Sequence, residues 1–134
     1  MNNIDIKESE LDSFTNEYLL DLAVPSVVGF QGSLGAGKTT IIKNIIKNLG
    51  IEETVTSPTF NIVKSYKKDD LEVYHVDLYR ISSIHEFYDL DLPLFKENTL
   101  FFIEWSDLLP IANLDNWRLI TIEVIDENTR KISY

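Results

Sequence analysis

The 134-residue sequence predicts an α/β domain: a mixed β-sheet flanked by helices, with antiparallel hairpins. Three observations carry that expectation. A short apolar strand runs into a cluster of glycines and then into an amphipathic helix. The uninterrupted apolar run Leu100-Phe-Phe-Ile103 has the composition of a strand covered on both faces. Two pairs of β-rich segments are each separated by a polar turn.

The elements follow in order. Residues 9–23 predict a helix, because Leu11, Phe14, Tyr18, Leu19 and Leu22 form an i, i+3, i+4 stripe. Ser9 or Asp12 suits its cap, and Pro25 ends it. Ser26-Val-Val-Gly-Phe-Gln31 reads as a short buried strand. Residues 39–49 predict a second helix, with Ile41, Ile42, Ile45, Ile46 and Leu49 on one face and Gly50 just past its end. Ser57-Pro58-Thr59 is a loop, and residues 60–66 and 71–78 form a hairpin across Lys67-Lys-Asp-Asp70. Residues 84–95 read as short helix and loop broken at Pro93, and residues 119–125 and 131–134 as strands paired across residues 126–130.

Composition bounds the function. With 44% hydrophobic and 25% charged residues the chain is of ordinary globular type, and residues 1–134 are expected to form one domain. The absence of cysteine excludes disulfides, a thiol nucleophile and Cys-ligated metal centres. Twelve basic residues stand against 22 acidic ones, a net charge of −10, which argues against direct binding to tRNA or any other nucleic acid. No stretch approaches the ~20 apolar residues of a membrane span. Residues 1–10 are polar and acidic, unlike a secretory signal, so a cytoplasmic protein without membrane contacts is expected.

The glycines concentrate the chemistry. Gly32, Ser33, Leu34, Gly35, Ala36, Gly37, Lys38 and Thr39 match G-x-x-x-x-G-K-[ST] at every specified position. A nucleoside triphosphate carries dense negative charge, and a loop can wrap it only if backbone N–H groups point inward, which glycine dihedrals permit. In such a phosphate loop, or P-loop, Lys38 reaches the β/γ-phosphates, Thr39 ligates Mg²⁺, and the following helix, with Thr40 in its first turn, adds its positive end. The competing dinucleotide fingerprint fails, because Gly35-x-Gly37 is followed by Lys38-Thr39-Thr40.

Such a site needs an acidic group at the end of a neighbouring strand. Glu104, directly after Leu100-Phe-Phe-Ile103, is the candidate metal residue; the bland alternative is a charge where a strand leaves the core. Trp105 would pack beside the nucleotide. Asp77, at the end of a β-rich run, either orients the attacking water, helps to place Mg²⁺, or simply forms a turn. His75 and His85 read as packed or surface residues, because two histidines with no partner motif make a poor zinc site. Phe87, Tyr88, Phe95, Phe101 and Phe102 are expected mostly in the core, with part of the string open to docking.

Together these pieces resemble the TsaE (YjeE) family of small P-loop ATPases. The matching stretches are residues 32–40, Ser57-Pro-Thr-Phe60, Tyr74-His-Val-Asp-Leu-Tyr-Arg80 and Phe102-Ile-Glu-Trp105, in the family's order and spacing. The resemblance implies a role in forming N6-threonylcarbamoyladenosine (t6A) at position 37 of tRNA, through TsaB-like and TsaD-like proteins. It also implies an Mg²⁺-dependent ATPase that binds ATP and ADP, weak alone and stimulated by those partners. By matched position it makes Thr39 and Glu104 metal residues, Asp77 necessary for hydrolysis, and Trp105 and Arg130 neighbours of the nucleotide. Ser33 stands where the family usually has Asp, and Ser106-Asp107 follows Trp105 where Pro or a small residue is common.

Other P-loop classes fit less well. A GTPase lacks Asn-Lys-x-Asp here, and no glycine after Gly50 leaves room for D-x-x-G or an ABC signature loop. A small-molecule kinase usually brings several basic groups to the transferred phosphate, whereas only Arg80, among Arg80, Arg118 and Arg130, lies in a predicted site segment. A nucleotide-gated adaptor with little hydrolysis is the remaining alternative, and Asp77 separates it from an ATPase.

Overall fold

The computed structural model describes residues 2–33, 35–52, 62–104 and 116–134. Among these, seven strands form one mixed sheet: β1 Asn3–Lys7, β2 Ser26–Gly32, β3 Val63–Lys68, β4 Leu71–Asp77, β5 Thr99–Glu104, β6 Arg118–Val124 and β7 Thr129–Ser133. Their spatial order is β1-β7-β6-β2-β5-β4-β3. Three helices cover the sheet: α1 Leu11–Leu20, α2 Lys38–Asn48 and α3 Ile84–Asp89. The inner strands β6, β2, β5 and β4 run parallel, and β7, β1 and β3 add antiparallel margins. The expected α/β class with antiparallel hairpins is therefore what the chain adopts.

Alternation along the strands divides the core between two faces. On one, Val28, Phe30, Leu100 and Phe102 pack under α1 and α2 with Phe14, Ile42, Ile45 and Ile46. On the other, Val27, Val76, Phe101 and Ile103 pack with Leu78, Ile81 and Phe87 of α3 and the segment before it. All six residues of β5 are buried, as an apolar strand covered on both sides requires. Phe87, Phe101 and Phe102 are core, while Tyr88 and Phe95 are exposed.

Helix α2 ends as its sequence dictates. The Gly50 amide bonds Lys47 O at 2.9 Å and the Ile51 amide bonds Ile46 O at 3.4 Å, while the Ile51 and Ile46 side chains share one cluster. This is a Schellman ending with its apolar clasp. Asn48 Nδ2 donates to Thr15 Oγ1 at 2.7 Å and to Asn44 Oδ1 at 3.0 Å, and Thr15 and Asn44 bond to one another, so α1 and α2 meet through a partly buried polar network.

Several boundaries differ from expectation. The first helix is shorter, because residues 8–10 form a 3-10 turn and regular helix ends at Leu20, well before Pro25. Helix α3 over Ile84–Asp89 is the short helix expected there, and the loop after it begins with Asp91 at a left-handed φ of 49°. Strand β7 begins earlier, at Thr129. Strand β1 was not anticipated. Its polar–apolar alternation is only two isoleucines long, Ile4 and Ile6, of which only Ile6 is buried, and the strand pairs with β7 from Asn3↔Ser133 to Lys7↔Thr129.

Candidate nucleotide site

The glycine-rich loop leaves the C-terminal end of β2 and enters α2, placing it over the ends of the parallel strands, where α/β sheets bind their ligands. Gly37 caps α2 with φ 108° and Gly35 has φ 81°, conformations strained for any side-chain-bearing residue. At Gly32 the constraint is space: a Cβ would lie 2.8 Å from Ile122 O of the neighbouring strand. The Ala36 amide closes the turn onto Ser33 O at 3.0 Å, and Ala36 is buried. Lys38 Nζ folds back and donates to Gly32 O at 2.8 Å.

Strand register sets the acidic partners. Glu104 ends β5 beside β2, and Asp77 ends β4 directly opposite it. Glu104 is only 5% exposed. Its Oε1 accepts from Thr39 Oγ1 at 2.6 Å and its Oε2 lies 2.6 Å from His75 Nε2. His75 is completely buried, in keeping with its reading as a packed histidine. Asp77 is half-buried; its Oδ1 accepts from the Tyr79 amide at 3.0 Å, so it does form the turn, while it also lines the cleft. Burial pushes the Asp77 carboxyl above its ordinary range and the nearby Glu104 charge adds to this. The Tyr79 N–H, His75 and Lys38 pull the other way.

Two cavities flank the loop. One, of about 350 Å³, is lined by Gly35, Gly37, Lys38, Thr39, Thr40, Asp77, Tyr79 and Glu104. The other, of about 240 Å³, lies across the loop, between the end of β1, the start of α1 and the β6–β7 turn. It has Ile6, Leu11, Ile41 and Ile132 as apolar walls and Arg130 at its edge. Arg130 Nε donates to Ala36 O at 3.0 Å, and Nη1 donates to Asp126 O at 2.8 Å and Thr129 O at 3.1 Å. Its guanidinium thus straps the C-terminal hairpin to the loop. Sequence reasoning missed the second cavity, because its wall from β1 has no local signature. Leu34, Trp105 and Ser57-Pro58-Thr59-Phe60 lie outside the described residues.

The lining of the first cavity includes the Thr39 hydroxyl and the Asp77 and Glu104 carboxylates, oxygen groups that suit a hard cation such as Mg²⁺ held partly by phosphate oxygens. Among the described residues no group of three or more acidic or histidine side chains forms a metal cage. No described helix is long and apolar enough to cross a membrane.

Strand, loop, helix and the carboxylate on the adjacent strand define a P-loop-type α/β protein. The family model described as "Threonylcarbamoyl adenosine biosynthesis protein TsaE" matches residues 6–132. The tRNA threonylcarbamoyladenosine biosynthesis protein TsaE of Rickettsia felis is 39% identical over 108 residues, 80% of this chain and 63% of its own length. The chain therefore spans less than two thirds of that relative. The protein of the same name from Rickettsia typhi is 33% identical over 127 residues, 94% of this chain and 88% of its own. Among solved structures, that of Bacillus subtilis YdiB is similar with a TM-score of 0.66 at 26% identity, covering 98% of this chain and 83% of that one. The chain belongs to the TsaE family.

Proposed function

We propose that this chain is the ATP-binding and ATP-hydrolysing component of t6A formation at position 37 of tRNA, working through TsaB-like and TsaD-like proteins. The bond from Thr39 Oγ1 to Glu104 Oε1 carries the reading. It turns the hydroxyl hydrogen away, toward the buried carboxylate, and leaves the oxygen lone pairs for a cation in the cleft.

Bound Mg²⁺ supplies charge neutralisation at the β- and γ-phosphates. The chain's own residues do the rest. Amides of residues 32–39 wrap the phosphates, and Lys38 exchanges the Gly32 carbonyl for phosphate oxygens. Thr39 holds the metal while Glu104 keeps the hydroxyl oriented. Asp77, beside Glu104 in the same cleft, orients the attacking water and accepts its proton. The second cavity, with its apolar walls and Arg130 at the edge, would take the base. A net charge of −10 fits a protein that reaches tRNA only through protein partners, in the cytoplasm.

The test is phosphate release from ATP, measured alone and with the TsaB- and TsaD-like proteins of the same organism, alongside t6A formation. Release that rises on adding partners, with t6A depending on this chain, supports the proposal. Nucleotide binding without any such rise supports the adaptor instead. Label on a soluble acceptor, rather than in free phosphate, means a kinase. No ATP binding at all overturns the reading.

A further inference from the structure

We infer that His75 is a positioning residue for the metal–nucleotide site, holding the Glu104 carboxylate in the orientation that meets Thr39. The inference deepens the proposed function and rests on it.

His75 lies on β4, two residues before Asp77, so both project from the same face of the sheet as Glu104. A carboxylate can only accept hydrogen bonds, so the 2.6 Å contact to Glu104 Oε2 places the ring hydrogen on Nε2. The other nitrogen, Nδ1, is buried and has no hydrogen-bond partner among the described residues. A residue that merely filled this position would carry no polar atom, as Val73 and Val76 on the same strand do not. Among the described residues His75 has this buried nitrogen without a partner, an unfavourable arrangement, while its other nitrogen anchors one carboxylate oxygen.

That anchor matters because the terminal torsion of glutamate is broad and roughly two-fold. Thr39 engages Oε1 from α2, and His75 engages Oε2 from β4. Donors from two different elements therefore fix the carboxylate plane. Without His75, Glu104 is free to turn, the Thr39 hydroxyl loses its fixed acceptor, and its lone pairs no longer face the cleft. Groups behind a metal site act in this way: they do not touch the ion, but they orient what does.

The experiment compares His75→Leu, which removes the donor, with His75→Gln, whose amide reaches the Nε2 position. ADP affinity is measured by calorimetry across a Mg²⁺ titration and in EDTA, together with steady-state ATP hydrolysis. For His75→Leu, the Mg²⁺ needed for half-maximal tightening of ADP binding should rise by about 10-fold or more, the range for groups behind metal ligands. Its kcat should fall more than its KM changes, while affinity in EDTA stays within about two-fold of the unaltered protein, because phosphate wrapping does not pass through Glu104. His75→Gln should recover most of the metal response. In a Glu104→Gln background, His75→Leu should add little, since both changes act through one carboxylate. An unchanged metal response in His75→Leu overturns the inference. So does an equal loss with and without metal in both variants, in step with thermal stability, because that marks a packing role. If His75→Leu does not fold, His75→Asn takes its place, with its amide at the reach of Nδ1 and the same outcomes. If the unaltered protein shows no metal response, the proposed function fails and the inference falls with it.

Discussion

Asp77 and Glu104 sit directly opposite one another at the ends of two parallel strands, β4 and β5, and their partners differ. Glu104 is held by contacts with Thr39 and His75, whereas Asp77 receives the Tyr79 amide and is pushed toward its protonated form by burial and by the Glu104 charge. The division suits a fixed metal-side carboxylate beside one free to exchange a proton.

The Asp77 shift has consequences of opposite sign for stability and rate. A carboxyl whose pKa is raised on folding favours the native state most below the ordinary carboxylate range, and that advantage is lost as pH rises through the raised value. The proposed role as base needs the ionised form, so the rate should climb over the same interval. Asp77→Asn, which can still accept from the Tyr79 amide, should raise the melting temperature at neutral pH by roughly 1–3 °C. It should retain nucleotide binding and lose about 100-fold or more of the partner-stimulated rate, the scale of general-base catalysis. A variant that hydrolyses ATP as fast as the unaltered protein removes Asp77 from the mechanism.

Apart from its one bond to the Gly32 carbonyl, the work of Lys38 in the proposed function is on phosphate. Lys38→Ala should fold with a melting temperature close to that of the unaltered protein. It should lose about 2–3 kcal/mol of ATP binding, the worth of a charge-assisted hydrogen bond and more. Calorimetric titration reads this directly, and undiminished affinity would place the phosphates elsewhere.

Arg130 acts as a strap, through bonds to Ala36 in the phosphate loop and to Asp126 and Thr129 in its own hairpin. Arg130→Ala should weaken ADP binding about 3- to 10-fold through the loss of its one hydrogen bond to the loop. Arg130→Lys should recover little, because an ammonium cannot reproduce the planar fork. Equal ADP affinity in all three proteins would leave the strap without influence on the loop.

Tyr18 stacks with Phe14 and meets Tyr134 edge-on, and burial pushes its hydroxyl up to about 12 despite the nearby Arg118. The folded state therefore holds this proton more tightly than the unfolded chain, and stability should fall as pH rises from about 10 toward 12. Tyr18→Phe should lessen that fall by about 1–2 kcal/mol in urea denaturation, the shift being discounted for partial exposure. Parallel alkaline losses in the two proteins would mean that Tyr18 titrates normally.

Much of this architecture was legible in the chain itself, and the failures share one cause. The helices after the first strand and after the phosphate loop declared themselves by periodicity, and β5 by its apolar run. Strand β1 was missed, since its alternation rests on Ile4 and Ile6 alone and its partner lies at the other end of the sequence. The turn at Asp77 and its place in the cleft looked like rival readings in the sequence, yet the structure has both, because the amide of Tyr79 takes one carboxylate oxygen while the residue still lines the cavity.

The sequence by itself determined the phosphate loop and the family, because the glycine dihedrals, the lysine and the hydroxyl act within a few residues of one another. Tertiary structure alone decided which groups stand behind that loop. Thr39 meets Glu104 across 65 positions, His75 meets it across 29, and Arg130 reaches Ala36 across 94. Contacts at such separations depend on strand order and register, which arise only when the two faces of the sheet are buried together.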